Sequence, residues 1–312
     1  MLAYKQSDDA EYECKVNEDM LERAVTAIDH LSSKLSYVLL PTGTKIYGCQ
    51  MLDMFPFSDD LPLKETLPPI PEPYISQLFY YNQIDCLKRI SKGKSWNWCE
   101  VRPDNIIGFV PNNNAYNLGQ TLALYLSVYR AVEGNGAECP FPGTDKSWVN
   151  KYNESPQDMV AHFSIHASLH PEQTASQSFN VGGQEDAWSG KWPIICEYFG
   201  LKGTGPKENS PQPGAYLAAH RKEWDELEKK HDLKKGSVDS DISHPGFQVC
   251  VVFVIGKLLL ANHSQYFIMT MFDFDRQMSM DASHKAGYTE EIRTPETWKI
   301  AFDRMRQAKV IP

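Results

Sequence analysis

Tyr80 and Tyr81 open a helical pattern, and Lys45 stands just past a short apolar strand pattern in Thr42-Gly43-Thr44-Lys45. A phenol with a pKa of about 10 is a weak acid at neutral pH. A nearby ammonium lowers that pKa and steadies the phenolate. Together the two groups can hold the oxygen of a carbonyl as it gains charge. Where one helix carries such a pair, the lysine lies one turn after the tyrosine on the same face. That position after Tyr81 is Asp85, so the cation must come from elsewhere, and Lys45 is placed to supply it. Ligands of open parallel sheets bind at the carboxyl ends of the strands, where Lys45 falls. Read alone, the Tyr-Tyr pair is most simply packing and Lys45 a surface charge. Their order along the chain is what favours chemistry.

The elements that must position these groups follow from periodicity. Asn17 to Leu35 predicts an amphipathic helix, with Met20, Leu21, Ala24, Ala27, Ile28 and Leu31 at helical spacing. Leu2 to Lys5 reads as the end of a strand, and Ser36 to Leu40 as a short buried strand closed by Pro41-Thr42-Gly43. The proline-rich stretch Leu61 to Pro73 must be a loop. Tyr80 to Ile90 returns to helix, and the aromatic, alternating Ser95 to Val101 reads as a strand closed by Arg102-Pro103. Gly108 to Asn114 is a loop, Gln120 to Val132 a nearly all-apolar and hence buried helix, and Ser178 to Val181 another strand. Gly203 to Gly214 reads as a flexible connection. Strand and helix alternate, which predicts an α/β protein with a parallel sheet.

Composition sets the bounds. The chain has 312 residues, 42% hydrophobic and 23% charged, enough for a sizeable core. A net charge of −9 argues against a nucleic-acid partner. No signal peptide is visible at Met1, and the longest apolar run, Val249 to Ala261, is interrupted by Lys257 and too short to span a bilayer. Seven cysteines without a C-x-x-C pair fit a reduced, cytoplasmic protein.

Three motifs occur in order: Thr42-Gly43-Thr44-Lys45-Ile46-Tyr47, then Leu78-Phe79-Tyr80-Tyr81-Asn82-Gln83-Ile84-Asp85, then Arg102-Pro103-Asp104-Asn105-Ile106-Ile107-Gly108-Phe109-Val110-Pro111. As a set they resemble the progesterone 5β-reductase and iridoid synthase family, an atypical branch of the extended short-chain dehydrogenases. Leu78 stands where that family has Asn, and Ile84 where it has Glu. The resemblance continues through Phe141-Pro142-Gly143-Thr144 and Phe179-Asn180-Val181-Gly182, and resumes from Phe272 to Pro312 in a fungal form. It implies that NADPH delivers hydride to the β-carbon of an α,β-unsaturated carbonyl, in specialised metabolism. It also implies that a tyrosine donates to the carbonyl oxygen with lysine support. Carried over by motif, Tyr81 is the donor, Tyr80 its rival and Lys45 the supporting cation. Thr42, Gly43, Arg102, Pro103 and Ile106 fall at the cofactor. The partner is a small hydrophobic carbonyl compound, and a homodimer is an open option.

Two expectations qualify this. A dinucleotide-binding domain opens with strand, glycine-rich turn and helix. The only comparable cluster, Gly200-Leu201-Lys202-Gly203-Thr204-Gly205-Pro206, is late and wrongly spaced, so a mobile loop is expected there. By the resemblance, Leu2 to Lys5 corresponds to the fourth strand of the sheet. The glycine turn and first strands would then precede Met1, leaving a partial Rossmann sheet that binds NADPH poorly. Residues 1–110 would form this domain with the catalytic groups, and 111–312 the remaining sheet elements and the substrate-binding region. The second expectation concerns Val249 to Tyr266, which has no family counterpart. It is either a genuine apolar insertion or a translated intron, since Val249-Cys250 and Ala261-Asn262 are encodable by common fungal intron sequences (GTATGT and GCTAAC).

Other candidates weigh less. His162, His166 and His170 share a helix face, but a metal role lacks a glutamate or cysteine companion. Trp188 and Trp192 read as core, and Arg221 to Lys235 as a solvated helix face. The leading function is reduction of an enone or enal. A cofactor-independent isomerase or cyclase using the same carbonyl activation is the alternative, and an inactive scaffold the third.

Overall fold

The computed structural model describes residues 4–5, 7–111, 117–238, 269 and 271–312. The stretch 249–266 lies outside the described residues, as does part of the loop expected at 108–114. In chain order the helices are α1 Ala10–Leu31, α2 Phe79–Ile90, α3 Leu118–Glu133, α4 Asp145–Val149, α5 Gln157–Leu169, α6 Pro171–Thr174, α7 Trp188–Tyr198, α8 Pro213–Ala219, α9 Arg221–His231, α10 Asp281–Lys285 and α11 Thr294–Gln307. The strands are β1 Tyr37–Pro41, β2 Asn97–Pro103, β3 Ile106–Ile107, β4 Glu138–Pro140, β5 Tyr152–Asn153, β6 Ser155–Pro156, β7 Ser178–Val181, β8 Glu185–Asp186 and β9 Lys202–Thr204.

The described residues fall into two compact units that interleave along the chain. The first holds 1–104, 158–182 and 278–290, and the second 105–157, 183–277 and 291–312. The chain returns to the first unit because β7 completes that unit's sheet.

That sheet is β1-β2-β7, parallel throughout, as the strand–helix alternation predicts. The middle strand β2 is buried from Trp98 to Pro103. Its register sets Leu40 and Ser178 beside Glu100, and Asn180 beside Arg102.

Helix α1 begins seven residues before the predicted start. Asp9 caps it, accepting from the Tyr12 N–H at 3.0 Å, and Glu11 and Glu13 favour the positive end of the helix dipole. Its inner face also differs from the predicted stripe. Cys14, Asn17 and Val25 are buried, while Ala24, Ala27, Ile28 and Leu31 are exposed. Contacts with α2 and the start of β2 fix this rotation. Gln83 donates to the Asn17 carbonyl, Arg89 pairs with Glu18 and Glu22, and Trp96 donates to Asp29.

The strand expected at Leu2 to Lys5 is not formed by Tyr4 and Lys5; Leu2 and Ala3 lie outside the described residues. The reason is local. Asn17 Nδ2 donates to the Lys5 carbonyl at 2.8 Å, and the Lys5 N–H donates to Asn17 Oδ1 at 2.9 Å. One buried amide thus satisfies the backbone groups that a strand neighbour would take.

In the second unit α3 is buried almost all round, as its apolar run requires. Trp188 and Trp192 are fully buried core residues. A buried ionic cluster sits beside them. Lys191 Nζ lies 2.8 Å from Glu154 Oε1 and 3.7 Å from the centre of the Tyr152 ring, and Trp298 donates to Glu154 Oε2 at 2.7 Å. Burial holds the Lys191 ammonium below its usual pKa. The segment read as a flexible connection is partly a strand, because Lys202–Thr204 pairs in parallel with Glu138–Pro140. Gly203 is needed there: a Cβ would stand 2.8 Å from the Trp192 carbonyl oxygen. Pro213 and Gly214 in turn open α8. No helix among the described residues is long and apolar enough to cross a membrane.

Asn17→Ala should cost roughly 0.5–1.5 kcal/mol, since it removes the buried amide's hydrogen bonds to the backbone of Lys5, which water can then satisfy. Chemical denaturation reads the loss, and amide exchange should show the Lys5 N–H losing protection while the β2 amides keep theirs.

Candidate functional site at the carboxyl ends of β1 and β2

The centre of this region is Glu100, which has no exposed surface. It lies on the middle strand and takes bonds from both neighbours. Thr42 Oγ1 donates to Oε1 at 2.6 Å, and Ser178 Oγ donates to Oε2 at 2.5 Å. Arg102, two residues on and therefore on the same face, donates to Oε2 through Nε at 2.9 Å. The Arg102 fork reaches further, to Tyr47 Oη at 3.1 Å and Ser178 Oγ at 3.2 Å. Tyr47 donates to Asn180 Oδ1 at 2.7 Å, and Asn180 Nδ2 donates to the carbonyls of Leu63 and Ser279. The Asn180 N–H donates to Glu65 Oε1 at 2.6 Å. Burial pushes the Tyr47 phenol and the Glu65 carboxyl above their usual pKa values.

This network takes up the side chains of Thr42 and Arg102, two of the residues expected at the cofactor. Their polar groups fasten Glu100 and Tyr47 inside the sheet, which is a structural use. Gly43 and Pro103 lie together at the strand ends: a Cβ on Gly43 would be 3.3 Å from the Pro103 carbonyl oxygen. Ile106 is 43% exposed on β3 and belongs to the second unit.

The two tyrosines have different surroundings. Tyr81 donates its hydroxyl proton to the Ile46 carbonyl at 2.8 Å and accepts from the Ile70 N–H at 3.1 Å. Burial raises its pKa. Tyr80 instead brings its hydroxyl over Gly43, 3.7 Å from where a Cβ would stand. Lys45 is half-buried on a 3-10 turn, Thr44–Tyr47, that follows β1 directly. Asp85, at the position where a helix-borne lysine would sit, is exposed and pairs with Lys88 at 2.9 Å.

Over residues 1–312 the sequence matches the family described as the PRISE-like Rossmann-fold domain. The chain belongs to this family. The PRISE-like chain is 33% identical to the short chain dehydrogenase sirS of Leptosphaeria maculans, over 98% of this chain and 74% of that protein. It is 26% identical to the (S)-8-oxocitronellyl enol synthase of Antirrhinum majus, over 95% of this chain and 70% of that protein. Among solved structures its fold is similar to UDP-glucuronic acid 4-epimerase from Bacillus cereus in complex with NAD. That likeness has a TM-score of 0.51 at 11% identity, over 98% of this chain and 72% of that one.

The remaining sequence candidates have structural uses in this PRISE-like chain. His162 Nδ1 is 2.9 Å from Glu290 Oε2, His166 Nε2 is 2.8 Å from the Ala286 carbonyl oxygen, and His170 Nδ1 is 2.9 Å from the His166 carbonyl oxygen. The stripe therefore fastens α5 to the segment after α10. Among the described residues, Glu18, Glu22 and Cys86 bring metal-ligand atoms within 4.8 Å of one another, but Arg89 already bridges both glutamates. The late glycine cluster, 200–206, follows α7 and contains strand β9, Lys202–Thr204, where a mobile loop was expected. Sequence reasoning missed Glu100, Asn180 and Glu65. The signal for Glu100 was present as charges two apart, Glu100 and Arg102, inside an apolar strand pattern.

Two outcomes test the network. Arg102→Leu leaves Glu100 buried without its cation and should cost about 3–5 kcal/mol in denaturant unfolding. For Glu65 the folded pKa lies above the usual 4.5, so its share of stability is present below pH 4.5 and is lost as pH rises through the folded value. Glu65→Gln does not titrate, so its melting temperature relative to wild type should rise as pH increases from 4.5 towards neutrality. A difference independent of pH would contradict the burial of this carboxyl.

Proposed function

We propose that this chain is a reductase of α,β-unsaturated carbonyl compounds, of the short-chain dehydrogenase type. The observation that carries the reading is the Tyr80 hydroxyl over Gly43, at the strand ends where Lys45 follows within the same motif. In this reading Tyr80 donates to the carbonyl oxygen as it becomes an enolate, and the Lys45 ammonium supports that charge. Tyr80 is favoured over Tyr81 because it is the Tyr80 hydroxyl that lies at Gly43, at the strand ends.

A reduced nicotinamide, NADPH by the family resemblance, supplies the hydride when bound. The chain's own residues hold the carbonyl, orient it and stabilise its developing charge. The name of the Antirrhinum relative, an (S)-8-oxocitronellyl enol synthase, is in keeping with enol chemistry at this site. A small, largely apolar enal or enone is the substrate class.

The test is turnover of simple enals and enones with NADPH deuterated at the transferable C4 position. The label should appear at the β-carbon of the product. Tyr80→Phe should lower kcat/KM by about 100- to 1000-fold, the usual effect of removing one oxyanion donor. Full activity in Tyr80→Phe would sink the reading, and product formed without label would favour isomerisation or cyclisation.

A further inference from the structure

In a helix-borne pair, one helical turn fixes the distance between tyrosine and lysine. Here Tyr80 and Lys45 lie on separate segments, so some other contact must hold them in register. The structure contains such a contact. The residue after Tyr80 donates its hydroxyl to the backbone of the residue after Lys45: Tyr81 to the Ile46 carbonyl, 2.8 Å. We infer that Tyr81 is a positioning residue that locks the Lys45 turn to the helix carrying Tyr80. The inference rests on the reading of Tyr80 and Lys45 given above and goes beyond it by giving the second tyrosine a separate task.

The surroundings of the turn support this. Its own bonds are Ile46 N–H to the Gly43 carbonyl at 3.0 Å and Gly48 N–H to the Lys45 carbonyl at 2.9 Å. From outside, Thr44 Oγ1 donates to Asp104 Oδ1 at 3.0 Å, and Tyr47 is held by Asn180 and Arg102. Those tethers run to β2, β7 and the residue after β2, so they fix the turn to the sheet. The Tyr81 tether runs to α2 itself. The same hydroxyl accepts from Ile70, which ties the proline-rich loop into the junction. A phenol suits this task, since burial raises its pKa and keeps the proton that the Ile46 carbonyl needs.

The test combines turnover with a readout that does not require it. Tyrosines are labelled with 13C at Cζ, and the Tyr80 resonance is assigned by its loss in Tyr80→Phe. In Tyr81→Phe the Tyr80 titration midpoint should move upward, because the Lys45 ammonium is no longer held close. Its kcat should fall roughly 10- to 100-fold, with KM changing less, as expected of a reactant displaced by about an ångström. Tyr37→Phe is the control for a lost phenol bond at the far end of β1, where Tyr37 donates to Thr174 at 2.8 Å. It should lower the melting temperature and leave both readouts unchanged. Tyr81→His keeps a ring N–H of shorter reach, and its values should be displaced from wild type in the same direction but less. It carries the comparison if Tyr81→Phe does not fold. A wild-type Tyr80 midpoint in the folded variant overturns the inference, whether or not the protein turns over. A shifted midpoint in Tyr81→Phe, with a wild type that lacks turnover, would leave the lock standing and overturn the reductase reading instead.

Discussion

A single buried carboxylate, Glu100, decides how the carboxyl end of the sheet is organised. A carboxylate removed from water must have its charge countered and its lone pairs filled. Glu100 meets both needs by drawing Thr42 from beyond β1, Ser178 from β7 and Arg102 from its own strand. Each strand of the sheet is thus tied to one group. The pair with Arg102 need not add much net stability. Removing one partner would leave an uncompensated buried charge, at a cost of about 3–5 kcal/mol.

From that centre the order spreads outwards. Arg102 holds Tyr47, Tyr47 holds Asn180, and Asn180 takes the loop carbonyl of Leu63 and the carboxyl of Glu65. The turn carrying Lys45 is therefore anchored on the sheet side by buried polar groups. On the helix side it is anchored by Tyr81. Between these supports Gly43 gives the Tyr80 hydroxyl access to the strand ends. The division of labour is physical: one phenol has its proton bound to a backbone carbonyl, and the other lies at the position where a ligand of a parallel sheet would be met.

Much of the fold was legible because it follows from short-range patterning. The strands at 37–41, 97–103 and 178–181, the helix from Phe79 and the buried α3 all fall where apolar runs and period indicate. The failures have specific causes. The start of α1 was missed because residues 10–16 alternate apolar and charged residues with a period of two, which is not helical spacing, although Asp9 offered a cap signal. The exposed Ala24–Leu31 stripe was misread as the inner face because polar contacts from α2 and β2, not apolar spacing, orient α1. Strand β9 was hidden because its Gly-rich sequence reads as a loop until Glu138–Pro140 supplies a partner.

By itself the sequence determined that this is a parallel α/β chain of the PRISE-like family, with Tyr80, Tyr81 and Lys45 near one set of strand ends. Motif order and periodicity are local properties, and they survive without knowledge of partners. Only the tertiary structure decided what each group does. Thr42 and Arg102 are fasteners of Glu100 because β2 sets them beside a buried carboxylate. Tyr81 is committed to Ile46 because two segments far apart in sequence meet there. A side chain's role depends on which hydrogen-bond partners remain for it after folding, and those partners come from distant parts of the chain.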